Sequence, residues 1–362
     1  MRFSFTEEQL ALREGTRDVL EAMCTTSDLR DLYESDNPMG GRSAERWSAL
    51  SDLGATALLA SEEAGGLGFG DAELVGVLEE AGRVALPEAL GLHAGVAVPI
   101  LGLASSTSAG LLSSLVEQGA LVSVGGVDVA LTGPVVRQFD GEAHAERVPD
   151  VNRAHSFLLA SASDHGVQVC LVGRDQCTIT PTPGLDTALN LGAVAWTPRP
   201  ENVIAEGDDA ILIIDEIASR SSLVSAAHLC GVVDAMLLRT AEYAKDRQQF
   251  GVPIGSFQAV KHLLANVRVA FEFARPAVYR AAWSFSVNDD ARHHDAALAK
   301  ALASEMAQDA AATCLQVHGG IGYTWESDLQ FYLKRCWALA TAYGDAPTQR
   351  ARALSLGLDL SQ

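Results

Sequence analysis

Arg247-Gln248-Gln249-Phe250-Gly251-Val252-Pro253-Ile254-Gly255-Ser256-Phe257-Gln258 is the stretch around which the rest of the chain can be ordered. It separates two long helical patterns, residues 223–247 and 256–285, each with few breakers. Arg247 is expected at the end of the first helix, with Gly251 stopping it, so that residues 247–255 form a loop presenting a guanidinium. Ser256 is expected to cap the next helix, placing Phe257 and Gln258 in a first turn whose N–H groups favour an anion. An arginine so placed can bind a phosphate bidentately. Its plainer reading is a surface arginine at the carboxyl end of a helix.

Downstream, residues 295–317 and 329–342 continue the helical texture, and helices of this length favour an up-and-down bundle. Upstream, short β-rich runs at 121–124, 157–160, 167–172, 177–180 and 210–214 are divided by Gly, Pro, Asp and Asn clusters, the pattern of a small β domain. Before them the chain reads as helical. Thr6 and Gln9 form a capping box, Phe5 and Leu10 a hydrophobic staple, and Leu10, Ala11, Val19, Leu20 and Met23 one helix face. Helices are also expected at 43–53, 71–83 and 109–118. The expected fold is α+β, mostly α, divided into a helical domain 1–118, a β domain 119–215 and a helical bundle 216–362.

With 362 residues the chain exceeds what one hydrophobic core ordinarily serves, consistent with two or three packed domains. It is 48% hydrophobic and 20% charged, a composition that folds throughout. A formal charge of −20 repels nucleic-acid phosphates and anionic membranes, so any phosphate must be met by a local cation. Neither nucleic acid nor membrane is an expected partner, and runs such as 121–124 fall far short of the roughly 20 residues that span a bilayer. The six cysteines lack any ligand spacing, and no signal-peptide pattern opens the sequence. Reduced thiols in a cytoplasm, and no metal site, are the expectation.

A second motif, Gln316-Val317-His318-Gly319-Gly320, sets two glycines where a ligand could approach the main chain; an ordinary glycine-terminated helix is the alternative. Neither glycine run fits a Rossmann or P-loop pattern. Together these motifs, extended to Ile321-Gly322-Tyr323, resemble the acyl-CoA dehydrogenase family over essentially the whole chain. Ser61-Glu62-Glu63-Ala64-Gly65-Gly66-Leu67-Gly68 is similar to that family's Pro-Glu-Glu-Tyr-Gly-Gly turn. The resemblance implies a helical, β, helical subunit assembling as a dimer of dimers. It also implies FAD held across a subunit interface. Arg247, Gln249, Phe250, Phe257 and Gln258, with Gln316, Gly319 and Gly320, would grip a cofactor whose ring sits in the neighbour.

The departures from the family carry as much meaning. Its chemistry removes an α-proton from an acyl thioester with a placed, partly desolvated carboxylate while the flavin takes the β-hydride. In much of the family that carboxylate is the Glu of a Tyr-Glu-Gly-Thr stretch, matched here by Ala342-Tyr343-Gly344-Asp345-Ala346-Pro347. Gly344 stands at the base position, or Tyr343 if no gap is allowed. Relatives that carry the base earlier match Arg220-Ser221-Ser222, again without an acid, and Asp215 and Glu216 lie upstream. Asp345 could substitute as base, but displacement by about an ångström is costly, and capping the helix that begins near Pro347 is its stronger reading. The flavin-covering segments of the family's β domain are also missing: Val124-Gly125-Gly126-Val127-Asp128-Val129 stands for the first, and the second has no counterpart before His155-Ser156-Phe157.

His228 and His262 read as lone helix residues, His318 as a spacer or a cofactor contact, and Trp325 and Trp337 as core or interface. The expected function is that of a non-catalytic, FAD-gripping subunit in an α2β2 acyl-CoA dehydrogenase, partnered by a catalytic paralogue. Such a complex would pass electrons to an electron-transfer flavoprotein, with a steroid side-chain acyl-CoA as a family-level suggestion for substrate. The alternatives are a self-sufficient homotetramer using Asp345, and a flavin-free scaffold.

Overall fold

The computed structural model describes residues 5–35, 43–103, 106–128, 133–134, 137–139, 141–163 and 166–357. The amino-terminal part is helical: α1 (Glu7–Met23), α2 (Thr26–Glu34), α3 (Ala44–Asp52) and α4 (Asp71–Arg83). There follow α5 (Leu90–Leu92), a π-helical turn (His93–Ala97), α6 (Val98–Leu103) and α7 (Ser106–Glu117). The Thr6–Gln9 capping box forms, each side chain bonding the other's main-chain amide at 3.2 and 2.9 Å. The staple does not. Leu10 is exposed, and Phe5 packs edge-on against Tyr279 at 4.9 Å. Of the expected face of α1 only Leu20 is buried, because α1 docks on α4 through ion pairs of Arg13 and Arg17 with Glu80.

The β layer comprises β1 (Val122–Gly125), β2 (Val127–Asp128), β3 (Gly133–Pro134), β4 (Arg137–Phe139), β5 (Glu142–Val148) and β6 (Ser156–Ser163). It continues with β7 (Gly166–Gly173), β8 (Cys177–Pro181), β9 (Gly192–Trp196) and β10 (Val203–Glu206). Two four-stranded sheets result, ordered β1-β6-β7-β10 and β4-β5-β9-β8. Alternate residues of β5, β6 and β9 close a core around Phe157 and Trp196.

Residues 210–214, expected as strand, instead open α8 (Asp208–Asp246), a helix of 39 residues. Asp208 and Asp209 complement the dipole of its first turn, and Ala210 and Ile214, four apart, face the core while Ile211 and Leu212 remain exposed. Although α8 is long and apolar enough to cross a membrane, 83% of its apolar window is buried inside the fold. After α8 a short hairpin, β11 (Gln248–Gln249) and β12 (Val252–Pro253), leads to α9 (Gln258–Ser286), α10 (Arg292–His318), α11 (Leu329–Thr341) and α12 (Ala346–Gly357). Helices α8 to α11 make the bundle. All six cysteines are free thiols.

Two glycines set how closely α4 and α8 cross. A Cβ on Gly82 would lie 2.2 Å from the His228 carbonyl oxygen, and one on Gly231 1.9 Å from that of Glu79. Gly231→Ala must therefore push the helices apart, and a loss of about 1–3 kcal/mol is expected in urea unfolding.

Candidate functional site

The stretch that opened the sequence reading is shaped differently from the expectation. Helix α8 ends at Asp246 with Arg247 as its cap, so Gly251 does not stop it. Phe250 (φ 54°) and Gly251 (φ 81°) instead turn the β11–β12 hairpin, a pair of left-handed residues suited to a two-residue loop. Ser256 does not cap α9 either. Its hydroxyl donates to the Pro253 carbonyl at 2.7 Å, and Phe257 occupies the cap position.

The two motifs nevertheless meet. Tyr243, one turn before Arg247, stacks on His318 with centroids 4.3 Å apart and donates to the His318 carbonyl at 3.3 Å. On this surface Arg247 is exposed and forms no ion pair among the described residues. Phe250 is 93% exposed, with Phe257 edge-on to it at 6.2 Å. Gln249, Gln258 and Gln316 are exposed beside them. Gly319 has φ 62°, which favours glycine by itself. Gly320 has neither a positive φ nor any described atom within 4 Å of a built Cβ, so nothing among the described residues calls for glycine there. An unpaired guanidinium, bare main chain and exposed aromatic rings fit a nucleotide diphosphate such as FAD.

None of these eight residues lines the main cavity. That cavity, about 930 Å³, lies between the α4–α5 connection, β1, β5, α8 and the turn after α11. Gly125, Gly126 and Val127 border it, while Val129 and the Asp128 side chain lie outside the described residues. Sequence reasoning missed His228, Arg335 and Arg147. Arg147 reaches the rim because β5 bulges between Ala145 and Val148 and sets it at φ 55°. Arg335, 2% exposed, bonds Asp186 and donates to the Leu86 carbonyl at 2.6 Å.

The turn at Tyr343 and Gly344, where the sequence reading expects the family's base position, is held from behind. The buried Lys300 Nζ shares its donors among four acceptors at 2.8–3.2 Å, Ser304 Oγ and the carbonyls of Leu339, Ala340 and Gly344. Burial pushes its pKa down to about 7 against the pull of Asp345. Gln349 Nε2 donates to the Tyr343 carbonyl and to Ser222 Oγ. Gly344 has φ 86°, and a Cβ there would sit 2.9 Å from Gln349 Nε2 and 3.3 Å from Thr348 Cγ2. A side chain at this position is therefore strained and crowded by α12. Asp345 accepts the Thr348 amide at 3.0 Å and caps α12; bonding from Thr348 holds its carboxyl below the usual range.

The other acids near the cavity differ in availability. Glu88 is paired with Arg46 and Arg153, and Glu146 stands exposed on the rim. Glu216 pairs with Arg220 at 2.7 Å away from the lining. His262 is exposed, and Trp325, expected in core or interface, is 44% exposed and donates to Glu34, whereas Trp337 lines the cavity.

Residues 215–354 match the family model of the acyl-CoA dehydrogenase C-terminal domain, and residues 6–108 that of the N-terminal domain. The chain is 31% identical over 352 residues to the acyl-CoA dehydrogenase IpdE2 of Mycolicibacterium smegmatis, covering 96% of this chain and 98% of that protein. The ChsE4-ChsE5 complex from Mycobacterium tuberculosis matches with a TM-score of 0.85 at 27% identity, over 100% of this chain and 99% of the other. A Tcur3481-Tcur3483 steroid ACAD variant gives a TM-score of 0.82 at 23% identity, over 98% and 99%, a likeness of fold.

Proposed function

Because the chain belongs to the acyl-CoA dehydrogenase family, whose members are FAD-dependent flavoproteins, we propose that it is the non-catalytic subunit of a heteromeric acyl-CoA dehydrogenase. The observation that carries the reading is the state of the turn at the base position: Gly344 at a φ that strains any side chain and crowded by Gln349 and Thr348, followed by an Asp345 engaged as a helix cap. The gripping surface remains available to a neighbour. When bound, FAD supplies the acceptor for the substrate's β-hydride. Arg247 would hold its diphosphate, Gly319 and Gly320 would admit it to the main chain, and Phe250 and Phe257 would cover its apolar parts.

Separation of that surface from the chain's own cavity supports two different cofactor positions, one on each side of an interface. Exposed Leu238, Val269 and Phe273, the last 75% accessible, support burial against a partner. The partner proposed is a catalytic paralogue in an α2β2 assembly, with an electron-transfer flavoprotein as acceptor. A bulky, steroid-type acyl-CoA is the proposed substrate, supported by the steroid ACAD among the fold neighbours. The cytoplasm is the proposed compartment.

One observation favours a rival: Asp345 does border the cavity, as a self-sufficient enzyme would need. Asp345→Asn separates the two, because asparagine caps helices as well as aspartate but cannot take a proton. The assembled complex should keep its turnover with this variant. A fall of about 10²-fold or more, the scale of a lost general base, would make Asp345 catalytic.

A further inference from the structure

The cavity lining holds a donor without a partner among the described residues. Arg335 Nη1 lies 3.2 Å from His228 Nε2. Arginine can only donate, so Nε2 accepts and the imidazole proton sits on Nδ1. Burial, with the Arg335 charge beside it, holds the ring well below its ordinary pKa and therefore neutral. Nδ1 makes no hydrogen bond among the described residues. His228 is partly accessible even though it sits deep in the fold, and it lines the cavity. The lining it belongs to is more apolar than polar, with Leu86, Leu92, Val224 and Trp337 beside polar Ser225 and Glu88. Arg335 is itself locked by Asp186 and the Leu86 carbonyl, so the ring has a fixed support. One oriented N–H in a largely apolar pocket selects for an acceptor on an otherwise apolar molecule.

We infer that His228 Nδ1 determines the specificity of this cavity, which takes a bulky apolar ligand bearing an acceptor oxygen, such as a ketone, at its buried end. An anionic group at the ligand's other end would remain at the rim beside Arg147. The inference rests on the proposed function only in that no flavin ring fills the cavity.

The test uses 3-oxo-5β-cholanate and 5β-cholanate, rigid tetracyclic acids that differ in one ketone far from the carboxylate. Each is titrated calorimetrically into the purified full chain and into His228→Leu. The wild type should prefer the ketone roughly tenfold, the scale of one buried polar group satisfied or left unpaired. His228→Leu should bind both acids alike. Equal affinities in the wild type, a preference that survives in His228→Leu, or no binding of either acid would overturn the inference. The wild-type comparison decides the matter even if the variant fails to fold. Flavin absorbance of the same sample tests the half-site reading separately.

Discussion

Arg247→Ala, assembled with its flavin-bearing partner, is expected to weaken FAD retention by roughly 10- to 100-fold, since each hydrogen bond to a charged group contributes about 1.5–3 kcal/mol. The arginine has no partner of its own among the described residues, so its removal orphans no carboxylate and should leave the fold intact. Arg247→Lys should fall between the two, keeping the charge but losing the fork that meets a phosphate with two parallel bonds. Fluorescence titration of FAD into the stripped complex provides the measurement. Unchanged affinity in Arg247→Ala would remove this residue from the cofactor site and favour the scaffold reading.

Arg335→Leu should be the most destabilising of the substitutions considered, by about 3–5 kcal/mol, because it leaves the Asp186 carboxylate buried without its countercharge. Arg335 and Asp186 are 2% and 1% exposed, and the Tyr33 hydroxyl, which also donates to Asp186, cannot neutralise it. The Leu86 carbonyl and His228 lose their donor in the same step. Urea unfolding reads the loss directly, and adding Asp186→Asn should recover part of it by removing the stranded charge. A loss below about 1 kcal/mol would show that water reaches the pair.

Signals with short reach were legible in the sequence. The Thr6–Gln9 box and the helix Asp71–Arg83 follow from residues three or four apart, and the helical, β, helical order follows from texture. The misreadings occurred where one local signal serves two structures. Gly251 marks a left-handed residue whether it stops a helix or turns a hairpin, and the backbone chose the hairpin. Five consecutive apolar residues at 210–214 look like strand, and only their docking on the core makes them helix. Leu10 looked like a staple because the sequence does not reveal that α1 packs through its arginines.

The cavity floor was illegible for a different reason. His228 reads as a lone helix residue and Arg335 attracts no reading, because Arg335 meets Asp186 and Leu86 across 149 and 249 residues of sequence. No periodicity spans such distances. The residues of the two motifs were named one by one from the sequence, and the fold brings both motifs to one surface, whereas the clamp of Lys300 and Gln349 behind Gly344 needed the folded turn to become visible.

Flavin absorbance per chain tests the half-site account most directly, on this protein purified alone and again after co-expression with a paralogous subunit. The account predicts little FAD on the chain alone and about one FAD per pair of unlike chains in the complex, as a symmetric α2β2 assembly requires. One FAD on every chain of the protein purified alone would contradict it and return Asp345 to consideration as the base.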